Sequence, residues 1–213
     1  RKSRFQKGSG LPVRIPVIEM VEIGAGGGSI ARINKLDQIT IGPDSAGSSP
    51  GPACYGLGGK NPTITDADLI VGKLNPKNFA AGKIELFPEK SQNVINNNIA
   101  KKLNFSLEDA SIGITEMVDE TMANAARVHS VEQGHQTENK TLIAFGGAAP
   151  LHVSRIAEKL KVKKIIVPTN ASVGSAIGFL KAPVGYEIVQ SYRFFLKDFN
   201  PNILNNFLNK MEN

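Results

Sequence analysis

Between residues 106 and 129 apolar side chains recur at helical spacing, at Ile112, Ile114, Met117, Val118, Met122, Ala125 and Val128. Ser106, with Asp109 three residues later, supplies a start of the capping-box kind. The pattern predicts one long amphipathic helix, closed near Gly134, that serves as core scaffold. The period then changes. Thr141 to Phe145 is a short apolar run of the buried-strand type, Gly146 and Gly147 form a turn, and Pro150 to Leu160 returns to helical spacing. Lys164 to Pro168 is a second apolar strand. Strand, turn, helix and strand make a β-α-β unit. Beyond it, Ser172 to Leu180 reads as a Gly/Ala-rich helix allowing close backbone approach, Glu187 to Phe195 as a strand, and residues 206–213 as an amphipathic helix.

Upstream the patterning is weaker. Pro12 to Ile15 and Val17 to Ile23 read as strands, the second alternating apolar with acidic residues before a glycine cluster. Residues 24–63 are rich in Gly, Pro and Ser, with a short hairpin expected from Ile30 to Ile33 and Gln38 to Ile41. So long an irregular stretch inside a compact chain points to function. Thr65 to Asp68 reads as a helix start, ended by Lys73 to Pro76, and Asn75 to Lys90 as a connection.

Composition narrows the class. With 213 residues, 41% hydrophobic and 21% charged, the chain can bury a real core. No apolar run approaches the roughly 20 residues of a membrane helix, and the first residues lack a secretory signal, so a cytoplasmic location is expected. The single cysteine, Cys54, excludes an internal disulfide and any zinc site built on spaced cysteines. The net charge of +6 comes from scattered basic residues rather than a dense basic face, which argues against nucleic acid. The chain opens at Arg1 rather than Met and closes inside an amphipathic pattern, so it reads as a fragment.

Three stretches could carry chemistry. In Phe145-Gly-Gly-Ala-Ala-Pro-Leu-His152 a strand feeds two glycines and a helix with Pro150 in its first turn. That leaves free backbone N–H groups at the positive end of a helix dipole, suited to a phosphate or nucleotide; a tight turn that binds nothing fits the local pattern equally well. Gly24, Gly26, Gly27, Gly28 and Ser29 break the Gly-x-Gly-x-x-Gly order, and no Gly-Lys-Ser/Thr follows, so neither a dinucleotide loop nor a Walker A loop is present. Four glycines in five residues still favour a pocket wall over filler. The loop from Asp44 to Gly59, with Thr63 to Asp68 behind it, alternates proline and glycine and should be rigid, presenting Asp44, Ser45, Cys54, Tyr55 and Asp66 at a rim. Cys54 has no nearby base and reads as a small buried side chain. Asp66 fits a helix N-terminal residue or a metal or substrate ligand equally. His152, in the first turn after Gly147, is placed where the helix dipole favours a neutral imidazole facing a ligand, or else packs at the turn. His129 and His135 read as structural or exposed, and no two histidines have metal-ligand spacing.

The runs Glu22 to Ala31, Gly42 to Gly47, Pro50 to Gly56, Pro62 to Asp68, Phe145 to His152 and Val173 to Leu180 resemble, in order and spacing, the C-terminal half of the hydantoinase A / oxoprolinase catalytic domain over residues 12–195. The resemblance implies an α/β chain of the actin-like ATPase fold (RNase H-like, shared with sugar kinases and Hsp70), here its second lobe plus a Gly/Pro-rich region. Residues 1–195 would form that part, with a loop region at 22–75 and a β-α-β region at 106–182, and 196–213 would begin a further segment. It implies ATP with Mg²⁺ as cofactors, Gly146, Gly147 and Ala148 as the adenosine turn, and Gly24, Gly26, Gly27, Gly28 and Ser29 as nucleotide or substrate wall. Asp44, Asp66 and His152 become candidate catalytic residues, with no metal ligands assigned. The expected reaction is phosphoryl activation and opening of a cyclic amide such as hydantoin, N-methylhydantoin or 5-oxoproline. The alternatives are carboxylation of acetone or acetophenone, and a non-catalytic assembly module of the same fold. A hydantoinase B-type subunit or domain and an oligomer are the expected partners. Both Asp-x-Gly-Gly-Thr phosphate turns of the fold are missing from residues 1–213, so the chain alone is expected to be inactive. Ala149 departs from the family's usual Gly-Pro, and Glu22 from its usual His-Thr, the latter in the manner of the carboxylases.

Overall fold

The computed structural model describes Arg4–Phe5, Pro12–Val13 and residues 20–185 and 188–212. It divides into two units, residues 1–174 and 175–213. In the first, β1 (Arg4–Phe5) pairs antiparallel with β2 (Pro12–Val13). Of the strand expected at Val17 to Ile23, residues 17–19 lie outside the described residues and 20–23 run as irregular backbone.

The expected hairpin forms and is longer than its apolar pattern. β3 (Ser29–Ile33) and β4 (Ile39–Ser45) pair antiparallel with Ala31 opposite Ile41 and Ile33 opposite Ile39. Asn34 makes the turn, its side-chain oxygen accepting the N–H groups of Leu36 at 2.8 Å and Gln38 at 3.0 Å. A 3-10 turn at Ala53–Tyr55 follows, then α1 (Ile64–Ile70), which starts one residue earlier than expected because Thr63 is its N-cap. Thr63 and Asp66 complete a capping box.

A helical stretch then appears that the sequence pattern did not announce. α2 (Pro88–Ile95) opens on Pro88 and continues through a π-helical segment, Asn96–Ala100, into α3 (Lys101–Leu103), which stops at Asn104 in the left-handed region. The asparagine-rich run Asn96-Asn-Asn98 hides the helical period, while Ile95 and Ile99 hold it in the core, both fully buried.

The long helix α4 (Leu107–Glu132) starts at Ser106 as expected. Its buried face differs from the expected one. Ile114 and Val118 are buried, but Ile112, Met117 and Val128 are exposed, and small or polar residues (Ala110, Ser111, Thr115, Asp119, Ala123) complete the stripe. Close packing on two sides selects small side chains there. One core joins Ala31 and Ile39 of the hairpin to Ala67, Ile95, Ile99 and Ile114. A second gathers Cys54, Leu69 and Leu86, and a third joins Ala123 of α4 to Ile156 and Leu160 of α5.

β5 (Thr141–Ile143), α5 (Ala149–Leu160) and β6 (Lys164–Ile166) form the expected β-α-β unit, the strands parallel with Leu142 opposite Ile165. The strands are not buried on both faces. Leu142 packs toward α5, whereas Ile143, Ile165 and Ile166 are 56%, 39% and 40% exposed, because among the described residues this sheet has two strands and one covering helix.

In the second unit, most of α6 (Gly174–Lys181) and all of α7 (Pro201–Glu212) are helical. Tyr192 packs at a tilt against Phe207, and Phe194 against Phe199, with ring centroids 4.9 and 5.5 Å apart. Residues 188–195 form no strand where one was expected, and Glu187 lies outside the described residues. No described helix is long and apolar enough to cross a membrane.

Candidate functional site

The turn between β5 and α5 is open. Gly146 takes φ +96°, a backbone position that L side chains rarely adopt, and its N–H donates to the Ala171 carbonyl at 2.7 Å. A Cβ added at Gly147 would meet nothing within 4 Å, so that glycine leaves space rather than filling it. Ala148, the N-cap, offers no side-chain acceptor to the first turn of α5, and Pro150 occupies that turn. Pro150 carries no N–H and the Leu151 N–H donates to the Ala148 carbonyl at 2.9 Å, so what the positive end of this 12-residue helix offers an anion or a polar ligand is the N–H of Ala149. The other end of α5 is satisfied internally: Arg127 and Thr137 donate to the carbonyls of Lys159 and Leu160 at 3.2 and 3.0 Å.

Beneath that turn lies a buried ionic cluster. His152, with no exposed surface, donates from Nδ1 to Asp119 Oδ1 of α4 at 2.7 Å. Its Nε2 lies 3.2 Å from Asp68 Oδ2 of α1, and Lys73 Nζ lies 3.2 Å from Asp68 Oδ1. Lys73 also comes within 3.4 Å of Nδ1, a contact with no proton to share since that nitrogen already donates to Asp119. Burial pushes the imidazole toward the neutral form, but the hydrogen bond to Asp119 and the close Asp68 carboxylate outweigh burial and Lys73, and raise its pKa to about 9. This corrects the expected neutral ring: the helix dipole is a weaker influence than two carboxylates in contact. It also places the ring out of reach of a ligand. Asp119 and Lys73 were missed in the sequence; the available signal was an acid on the buried stripe of α4, four residues after Thr115.

The glycine loop is docked rather than open. Ser29 Oγ accepts the Gly26 N–H at 3.0 Å and donates to the Gly24 carbonyl at 3.2 Å, closing the loop on itself. Gly27 offers its carbonyl to both the N–H and the hydroxyl of Thr65, each at 2.9 Å, and the Gly28 carbonyl accepts from Ala46 at 2.8 Å. A Cβ at Gly27 would stand 2.7 Å from Thr65 Oγ1, whereas one at Gly26 would touch nothing. Gly27 is thus required by packing against α1, and the Gly26 side of the loop is free space.

Asp66 is buried and saturated. Its two oxygens accept from Ala53 N, Cys54 N, Thr63 N, Thr63 Oγ1 and Ser91 Oγ at 2.7–3.2 Å. It anchors the proline-glycine loop to α1 and has no lone pair left for a metal or substrate. Asp44 sits on β4, exposed, paired with Arg32 at 2.8 Å. Asp44, Asp66 and His152 therefore engage three separate sets of partners. Cys54 is fully buried, its thiol pushed far up by burial and by the Asp66 charge, which removes it as a nucleophile at neutral pH. Among the described residues no three His, Cys, Asp or Glu side chains form a metal-ligand set.

An α/β unit with an open glycine turn at a helix N-terminus defines a protein with a phosphate- or nucleotide-compatible turn; sequence comparison supplies the family. The hydantoinase/oxoprolinase family model matches residues 2–188, and the chain belongs to that family. It is 37% identical over 186 residues to caprolactamase subunit alpha of Pseudomonas jessenii, covering 87% of this chain and 27% of that one. The crystal structure of the ATP-dependent caprolactamase from Pseudomonas jessenii superposes with TM-score 0.72 at 40% identity, over 78% of this chain and 24% of that one. The nucleotide-free structure of acetone carboxylase, described under a mechanism of ATP-dependent acetone carboxylation, gives TM-score 0.72 at 34% identity, over 79% of this chain and 24% of that one. The chain spans about a quarter of the length of these relatives.

Proposed function

We propose that the protein carrying this chain uses ATP to activate the carbonyl of a cyclic amide for ring opening, and that Gly146, Gly147 and Ala148 seat the nucleotide's adenosine end. The observation that carries the reading is the unfilled space at Gly147 beside an uncapped helix N-terminus, in a family whose relatives include an ATP-dependent caprolactamase. On this reading residues 1–195 belong to the second lobe of an actin-like ATPase fold. ATP would supply a γ-phosphoryl to the amide oxygen, which makes the carbonyl carbon electrophilic enough for water to attack. The ring C–N bond is the one that breaks, its nitrogen leaving with a proton as the amine, and hydrolysis then releases the phosphoryl as inorganic phosphate. The chain's own part is positional: the Ala149 N–H at the start of α5 orients a polar ligand, Gly147 admits a flat ring, and the loop at 24–29 walls the pocket. The Asp-x-Gly-Gly-Thr phosphate turns of that fold do not occur in residues 1–213, and a hydantoinase B-type subunit is the partner in keeping with relatives named as subunits.

A second reading, ketone carboxylation, is favoured by the acetone carboxylase neighbour and by Glu22. ADP release by the complete protein with its partner separates the two. Release that needs hydantoin, 5-oxoproline or a lactam supports the hydrolase; release that needs both bicarbonate and a ketone supports the carboxylase. Gly147→Val should weaken ATP binding about tenfold by filling the approach surface. Unchanged affinity in that variant would remove the seat from this turn.

A further inference from the structure

We propose that His152 is a positioning residue for the nucleotide turn: clamped between Asp119 of α4 and Asp68 of α1, it fixes the first turn of α5, and with it Gly146 to Ala148, relative to α1. The proposal rests on the reading of that turn as the nucleotide seat. His152 has no exposed surface and cannot itself touch a ligand, yet it stands five residues after Gly147, in the helix whose first N–H, on Ala149, would do so.

The geometry gives the ring two unequal holds. Toward α4 the Nδ1 donor and Asp119 Oδ1 make a good hydrogen bond at 2.7 Å. Toward α1 the contact is ionic and poorly aligned: Nε2 and Asp68 Oδ1 are both buried without a hydrogen-bond partner, though Asp68 Oδ2 is 3.2 Å from Nε2. With an imidazolium, two cations (His152 and Lys73) face two carboxylates (Asp68 and Asp119), and the cluster is neutral. With a neutral ring, one buried carboxylate is left uncompensated and the attraction that draws α5 to α1 weakens. α1 is also the helix whose Thr65 receives the Gly27 carbonyl. A continuous path of contacts therefore runs from the glycine loop through Thr65, Asp68 and His152 to the nucleotide turn. The proton on His152 holds that path at fixed length.

The test is ATP affinity of the complete protein between pH 7 and 10, with folding followed by circular dichroism, for the wild type, Asp119→Asn, His152→Gln and Gly147→Val. For the wild type, affinity should hold to about pH 8 and fall about tenfold through pH 9, where the imidazolium is lost. Asp119→Asn should move that fall about a unit lower in pH, and His152→Gln should bind about tenfold more weakly with no inflection. A residue that merely fills space would not shift the inflection. If Gly147→Val weakens binding while wild type, Asp119→Asn and His152→Gln share one affinity and one pH profile, the positioning role is overturned and the seat stands. If Gly147→Val binds normally, the seat itself is wrong. Should the cluster variants fail to fold, a flat wild-type profile from pH 7 to 10 overturns the proposal, and an inflection near pH 9 supports it.

Discussion

Asp66 accepts the backbone N–H of Cys54 at 2.8 Å, so a carboxylate on α1 holds a loop twelve residues upstream. Four further donors converge on it. Asp66→Asn puts an amide donor where acceptors are needed and should destabilise the fold by about 3 kcal/mol. Urea unfolding checks this, and a loss under about 1 kcal/mol would contradict the anchoring role.

His152 makes stability depend on pH with a definite sign. Its folded pKa, about 9, lies above the ordinary 6.5, so its contribution is fully present below pH 6.5 and is lost as pH rises through 9. The size is of order 3 kcal/mol, from 1.36 kcal/mol per pKa unit. Denaturation midpoints taken from pH 6 to 10 should fall across that window in the wild type, and His152→Gln should remove this component of the fall.

The two glycines of the docked loop should part company. Gly27→Ala forces a Cβ to within 2.7 Å of Thr65 Oγ1, inside a hydrogen-bonded pair, and should cost about 1–3 kcal/mol. Gly26→Ala meets nothing and should stay within about 0.5 kcal/mol of wild type. Thermal melts of both variants decide it; equal melting temperatures would show that the Thr65 contact does not constrain the loop.

Lys161 closes α5 in the left-handed region, at φ 55°. Glycine is unstrained there, so Lys161→Gly should stabilise by about 0.5–1 kcal/mol. A lowered melting temperature would mean that the lysine's exposed pairing with Glu138 outweighs the backbone strain.

Cys54 should resist alkylation in the folded protein at pH 8 and react only after denaturation, since burial and Asp66 hold the thiol protonated. Rapid native-state labelling with iodoacetamide would refute its placement.

Elements with strong local signals were legible: Ser106 started α4 where its side chain suggested, and β5, α5 and β6 followed the change from strand to helical period. The membership of the family was legible too, through six ordered runs of glycine, proline and small residues. The site's interior was not. Asp119 and Lys73 lie 33 and 79 positions from His152, and their meeting depends on how α4 and α1 pack against α5. Sequence spacing cannot express that. Nor could it show that Asp66 spends every lone pair on the fold, because the donors from Ala53, Cys54 and Ser91 come from other segments. Ile112, Met117 and Val128 are exposed on α4 because small size, not apolar character, selects the residues of its packed face.

The docking of Gly27 onto Thr65 also sets an order of assembly. A run of four glycines in five residues has no side chains with which to nucleate structure, and the furthest of its holds is a helix start 38 residues further on. The loop can settle only after α1 has formed and capped itself. It should therefore be among the last segments to gain amide protection during refolding, so that the pocket wall is built onto a finished scaffold.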